Sequence, residues 1–201
     1  DPRSMRLAAV TAALLEVAGG ENASATQVYA SAIQSLEQTL GSLQTQVALL
    51  ELLSKTVPHV SSAAIGATLS VSSRTLRAVV TSCQEASSSK DAMETQDELG
   101  GVNATLRGAI RASTEVIKKL PLNTPEKAVN AMFHGTILSH FEDRRPKVRK
   151  AAHNATVELL MMEEPCHKAI KQSIHTYAHS RLKRAHMHVN AESAHLLHLL
   201  T

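Results

Sequence analysis

The stretch "HFEDRRPKVRKAAHNATVELL", residues 140–160, decides how the whole chain reads. A proline at position 146 follows a charged turn, and beyond it Val148, Ala152 and Ala155 recur at steps of four and three. Proline is favoured in the first turn of a helix, where its missing N–H costs nothing, so Pro146 predicts a helix start. The 4–3 spacing then places the three small apolar side chains on one face of that helix. Five cations crowd the same segment: Arg144, Arg145, Lys147, Arg149 and Lys150. They serve either to hold one helix against the next or to grip a charged partner.

The same 4–3 step occurs at Met5, Ala9 and Ala12, at Leu43, Val47 and Leu50, and at Val102, Leu106 and Ala109. The interval containing the polar stretch 82–100 is longer than its neighbours. With about half of a typical 40-residue unit removed from it, all the intervals approach the roughly 40-residue period of HEAT and armadillo arrays. Apolar residues keep helical spacing nearly throughout, and no segment alternates long enough to form a strand. The pattern predicts nine helices, over 5–18, 25–40, 43–57, 61–83, 101–119, 125–141, 146–163, 166–184 and 190–200. Turn residues agree with these limits. Gly19 and Gly20 follow the first helix and Gly41 the second, where a left-handed cap favours glycine. Thr124, Pro125 and Glu126 supply a cap, a first-turn proline and a first-turn acid for the sixth, and Pro165 can open the eighth. The expected fold is all-α: a HEAT/armadillo-like α-solenoid of antiparallel helix hairpins stacked in a superhelix. In this phase the helices at 43–57, 101–119 and 146–163 are the second of each pair.

Composition points the same way. The chain has 201 residues, of which 43% are apolar but only 2% aromatic, with no tryptophan. A core must therefore be built from Ala, Leu, Val, Ile and Met, which suits packed helices better than a sandwich or barrel. No apolar run approaches the roughly 18 residues of a membrane span, and no signal peptide is visible. Cys83 and Cys166 give neither a disulfide framework nor metal-ligand spacing, and read as reduced thiols of an intracellular protein. The sequons at Asn22, Asn103 and Asn154 are accordingly expected to carry no sugar. The whole chain, 1–201, is read as one segment of a longer solenoid, with part of residues 1–4 of vector origin. Residues 82–100, serine-rich and poor in large apolar groups, are expected to form a flexible polar loop.

Charge is unevenly placed. The net charge of +3 combines −4 over residues 1–100 with +7 over residues 101–201, and the second half holds ten of the eleven histidines. Different neighbours for the two halves are expected. Within the opening stretch, Arg149 is assigned with Asp143, Pro146, Val148, Ala152 and Ala155 to the structural repeat. Arg144, Arg145, Lys147 and Lys150, with Lys168 and Lys171, are the candidate RNA- or partner-binding residues. Lys118, Lys119, Arg181, Lys183 and Arg184 extend that candidate surface. A solvated basic edge, phosphate contact with RNA and an acidic protein surface are all compatible with these charges. The scarcity of aromatics argues against base stacking, so any RNA contact would be led by phosphate and steeply salt-dependent.

Two resemblances sharpen this reading. The pattern D-x-x-P-x-V-R-x-A-A, here Asp143, Pro146, Val148, Arg149, Ala151 and Ala152, resembles the inter-helix turn and second helix of a HEAT unit, whose Asp and Arg form a ladder between repeats. The longer stretch "MFHGTILSHFEDRRPKVRKAAHNATVELL", followed by "HKAIKQSIHTYAHSRL" and "AESAHLLHLL", resembles the ribosomal RNA processing protein twelve family. The segments "LAAVTAALLEV" and "ALLELLSKTVPHV" fall in corresponding order, so the likeness spans nearly the whole chain. It is densest over residues 132–160. It departs at the polar stretch 82–100, at "KRAHMHVN" and at Pro165-Cys166-His167. The resemblance implies a karyopherin-like factor of the small-subunit pre-ribosome, acting in pre-rRNA processing and nuclear export. Its implied partners are pre-ribosomal proteins, pre-rRNA, Ran and nucleoporins, and its implied location is nucleolus and nucleus with shuttling to the cytoplasm. A karyopherin-type transport receptor or a phosphatase-type HEAT scaffold, binding protein alone, is the alternative.

No catalytic residues are expected. The chain has no glycine-rich phosphate loop, nucleophile elbow or paired-carboxylate motif. His175 and His179 lie one helical turn apart, as do His195 and His198, with His186 and His188 between the pairs. No cysteine or carboxylate completes a ligand set, so these read as surface histidines, and neither metal, cofactor nor small-molecule substrate is expected.

Overall fold

The computed structural model describes residues 2–20, 22–40, 42–86, 96–162 and 166–184. Among them the secondary structure is helical, with no strand. Eight α-helices follow in order: α1 (Pro2–Ala18), α2 (Ala25–Gln38), α3 (Leu43–Thr56), α4 (Ser62–Ala86), α5 (Gln96–Lys118), α6 (Glu126–Thr136), α7 (Pro146–Leu160) and α8 (Cys166–Arg184). Short 3-10 turns at Val57–His59 and Leu138–His140 follow α3 and α6. The ninth expected helix, 190–200, lies outside the described residues.

Local chemistry accounts for several of these limits. Gly19 and Gly20 have φ of 115° and 86°, and the Gly20 N–H donates to Leu15 O at 2.7 Å, closing α1 as glycine permits. Ser24 and Gln27 form a capping box at the start of α2: the Gln27 N–H donates to Ser24 Oγ, and the Ser24 N–H donates to Gln27 Oε1. Pro146 opens α7 in its first turn.

Two local expectations differ from what forms. Thr124 does not cap α6; its hydroxyl donates to Pro121 O at 2.7 Å, and Pro125 occupies the cap position. The sixth helix also ends at Thr136, because the chain tightens into the 3-10 turn that carries His140. The polar stretch expected as loop is helical on both flanks, since α4 runs to Ala86 and α5 begins at Gln96. Residues 87–95 lie outside the described residues.

The helices pack in two rows. In one, α1 meets α3, α3 meets α5 and α5 meets α7; in the other, α2 meets α4, α4 meets α6 and α6 meets α8. The rows are joined where α2 lies on α3, α4 on α5, α5 on α6 and α7 on α8. One continuous apolar core fills the space between, from Leu14 and Leu36 through Leu76 and Ile110 to Leu159 and Ile174. The stripe Val148, Ala152 and Ala155 is buried in it, as are Val102, Leu106 and Ala109. In α3 the corresponding Leu43 and Val47 are half-buried and Leu50 is buried. In α1 the match fails: Met5 is 73% exposed, and Ala9 and Ala12 are also exposed. Helix α1 packs on α2 and α3, and it turns Leu14 and Ala18 inward instead.

The scarcity of aromatics makes helix backbones approach closely. A Cβ placed on Gly108 of α5 would lie 3.0 Å from Leu50 Cβ of α3, and one on Gly101 would lie 3.4 Å from Leu43. The first contact is tight and the second ordinary, so glycine at 108 is the one that lets the α3–α5 seam close. Of the four aromatic residues, Tyr29, Phe133 and Phe141 are buried and Tyr177 is half-buried. The Tyr29 hydroxyl and Ser72 Oγ, 2.6 Å apart, link α2 to α4 inside the core. Ala152→Asp would bury a carboxylate at a position with no exposure. We expect it to destabilise the fold by about 4 kcal/mol or more, read as a collapse of the urea midpoint; an unchanged midpoint would disprove the packing of this face.

Candidate nucleic-acid interface

The turn between the 3-10 segment Leu138–His140 and α7 is organised around Asp143, whose side chain is only 7% exposed. Its Oδ1 accepts the Arg145 backbone N–H at 2.9 Å and Arg145 Nε at 2.8 Å, while Oδ2 accepts Arg145 Nη2 at 2.8 Å. This is a two-pronged arginine–carboxylate pair, whose geometry holds the guanidinium flat against the turn. His140 is fully buried, and its Nδ1 lies 3.1 Å from Asp143 Oδ2. Burial alone would raise the Asp143 carboxyl, but Arg145 and His140 outweigh it and bring it down to about 2. Burial dominates at His140 and lowers its pKa, against the pull of Asp143. The ring is therefore neutral at pH 7, with Nδ1–H donating to the carboxylate. Its Nε2 is a buried acceptor with no partner among the described residues.

These contacts revise the division of labour among the cations. Arg145, expected to reach a partner, is 13% exposed and spends its guanidinium on Asp143. Arg149, assigned with Asp143 to the structural repeat, donates to the Asp143 backbone carbonyl at 2.8 Å. Arg145 wins the carboxylate because it is two residues away, within reach of both oxygens from inside the turn. Arg144, Lys147 and Lys150 are exposed. The turn is also tied to α8. Phe141 packs edge-on against His153 and Tyr177, Arg181 lies over the Tyr177 ring, and Arg181 pairs with Glu142. Arg181 is thus a tether between elements.

Lys147 and Lys150 line a groove of about 780 Å³ that crosses α3, α5 and α7. Arg107 and Arg111 of α5 line it too. All four cations are exposed, and none has an ion-pair partner among the described residues. Arg107 and Arg111 were not singled out from the sequence. Their spacing of four on α5 was the available signal, but only the packing of α5 against α7 brings them beside Lys147 and Lys150. Toward the C-terminal ends of the same helices the groove is acidic, with Glu51, Glu115 and Glu158. These carboxylates are engaged. Lys55 lies 3.3 Å from Glu51, and Lys118 bridges Glu115 at 3.0 Å and Glu158 at 2.7 Å. Burial opposes charge on Lys118, yet the two carboxylates raise its pKa, so it acts as a clasp between α5 and α7.

Lys168 and Lys171 are exposed on α8 in the other row and do not line this groove. Lys168 sits 3.8 Å from Glu126 of α6, a solvent-exposed pair worth little. A larger groove of about 1120 Å³ lies on that row between α4 and the start of α6, walled by small residues such as Gly66, Ala67 and Ser70 with Arg74 and Arg77 at its rim. The Cys83 thiol, pushed up to about 11 chiefly by burial, is no nucleophile at neutral pH. Among the described residues no group of three or more His, Cys, Asp and Glu gathers as a metal cage, and no helix is long and apolar enough to cross a membrane. No family model, curated protein or solved structure gives a match to the chain.

The linked ionisations fix the sign of the acid response. The folded Asp143 pKa of about 2 lies below its ordinary 3.8, so its stabilisation is complete above pH 4 and fades as pH falls toward 2. The lowered His140 pKa acts in the same direction, with stability draining as pH falls below 6.5. Asp143→Asn should cost about 3 kcal/mol at pH 7, by leaving Arg145 in a buried site without its counter-charge. It should also flatten the stability profile between pH 4 and pH 2. Urea titrations of both proteins across this range check it, and parallel profiles would contradict the assignment.

Proposed function

We propose that this chain is a stretch of a HEAT-type α-solenoid that works as a non-catalytic scaffold of the small-subunit pre-ribosome, contributing to pre-rRNA processing and nuclear export. Two features support the solenoid reading: helices of alternate number pack in two rows, and one core runs through all of them. In such arrays each repeat buries its apolar face only against its neighbours. The resemblance to the ribosomal RNA processing protein twelve family supports the biological setting, with pre-ribosomal proteins, Ran and nucleoporins as proposed partners.

The observation that carries the RNA reading is the convergence of Arg107, Arg111, Lys147 and Lys150 on one groove. Exposed cations without counter-charges suit a polyanion, because phosphate contact releases counterions into solution. The Phe and Tyr rings lie in or against the core, which leaves none of them exposed for bases to stack on and favours recognition of backbone and shape. Lys147 and Lys150 of the original set line this surface, whereas Lys168 and Lys171 belong to a separate one.

A protein ligand, as in a karyopherin-type receptor or phosphatase scaffold, is the second reading. It is favoured by the carboxylates at the other end of the same groove. The two separate on affinity for structured RNA measured at several salt concentrations. We expect the combined Lys147→Glu, Lys150→Glu and Arg107→Glu variant to bind RNA at least about tenfold more weakly, with the salt slope reduced by roughly 0.7–0.9 per lost phosphate contact. Unchanged affinity and slope would overturn the RNA reading. Recovery of import cargo or phosphatase subunits by the tagged protein, without pre-rRNA or small-subunit precursors, would overturn the pre-ribosome assignment.

A further inference from the structure

His175 and His179 stand one turn apart on α8 with both rings exposed. Their Nε2 atoms are 3.1 Å apart, with ring centroids 4.3 Å apart and planes inclined by 55°. The two rings thus aim the same nitrogen at a common point. One proton shared between them is compatible with this distance, but so is a cation. Metal–imidazole bonds of about 2.0–2.1 Å set two coordinated nitrogens roughly 2.9 Å apart at a right angle and roughly 3.4 Å apart at a tetrahedral one. The observed separation falls between these limits.

We propose that His175 and His179 form a two-point binding site for a borderline transition cation, of the copper(II) or zinc class, on the outer face of α8. This departs from the expectation, drawn from the sequence alone, that the chain holds no metal. The ligands are pre-positioned. Ile174 and Ala178, on the inward side of the same turn, are fully buried, and the Ser173 hydroxyl donates to Asn130 Oδ1 of α6 at 2.8 Å. The helix bearing the two rings is therefore held in place without the metal, and binding requires only small ring adjustments.

The donor set also selects the ion. Two neutral imidazoles suit copper, nickel and zinc, and the usual affinity order places copper(II) first. Calcium and magnesium require oxygen ligands, and among the described residues no carboxylate joins the pair. Lys171, one turn before His175, adds a positive charge that further disfavours ions held mainly by electrostatics. Two protein ligands leave the remaining coordination positions to water or to a donor from a partner.

The test is titration of the full 201-residue chain with copper(II) chloride, followed by calorimetry and electron paramagnetic resonance, with zinc chloride as competitor and magnesium chloride as the hard-ion control. The other histidines make single substitutions essential, and both target positions are exposed, so the variants should fold. His175→Gln and His179→Gln should each weaken the tightest site by at least about tenfold, because each removes the second, pre-positioned ligand. Each should also convert a two-imidazole spectrum to a one-imidazole spectrum, and copper should displace pre-bound zinc while magnesium in excess should leave the copper in place. If either variant keeps the parent affinity and the parent spectrum, the tight site lies elsewhere in the chain and the proposal fails.

Discussion

The seam between α3 and α5 is the contact on which the two-row arrangement depends. Helix α5 touches α3, α4, α6 and α7, so any shift in it moves both rows. Its approach to α3 is limited by Leu50, to which a Cβ at Gly108 would come within 3.0 Å, so the absence of a side chain at 108 lets the two helices come this close. A core with so few aromatic rings cannot fill wide inter-helix spaces, so density has to come from proximity. Glycine lowers the intrinsic stability of a helix interior, by about 1 kcal/mol relative to alanine. Burial along the seam offsets that cost, as fully buried Leu106 and Ile110 on the same helix indicate.

Against this apolar framework the turn at 140–149 supplies a polar joint. Asp143 gathers a guanidinium, a backbone N–H and an imidazole on one buried carboxylate, and Glu142 beside it reaches α8 through Arg181. The cations of the opening stretch divide between joint and surface by their distance from that carboxylate. Arg145 and Arg149 bend back onto Asp143, while Lys147 and Lys150, carried onto the first turns of α7, face the groove. A basic cluster that looks uniform along the chain thus has two physical roles, which alternate over six residues.

Much of the fold was legible in the residues. The periods at 102–109 and 148–155 place buried faces correctly, Pro146 starts its helix, and Gly19-Gly20 end theirs, because each of these signals acts over one or two turns of backbone. Met5, Ala9 and Ala12 misled, since the 4–3 spacing states that three residues share a face but not which way the face points. Arg149 meets Asp143 at its backbone carbonyl while Arg145 takes the carboxylate, a division that a sequence pattern cannot rank. The candidate groove was only half legible: Lys147 and Lys150 stood out in a dense run, while Arg107 and Arg111 lie 40 residues earlier among apolar neighbours.

Local backbone preference and periodicity are enough to make the chain helical, to place most of its turns and to mark the side chains too apolar to leave in water. Packing in three dimensions settles which cations face a common groove, which are consumed within a turn, and that two histidine nitrogens converge on α8. Those outcomes depend on distances between atoms far apart in the chain, or on the rotation of a helix about its axis, and packing against neighbouring helices fixes both.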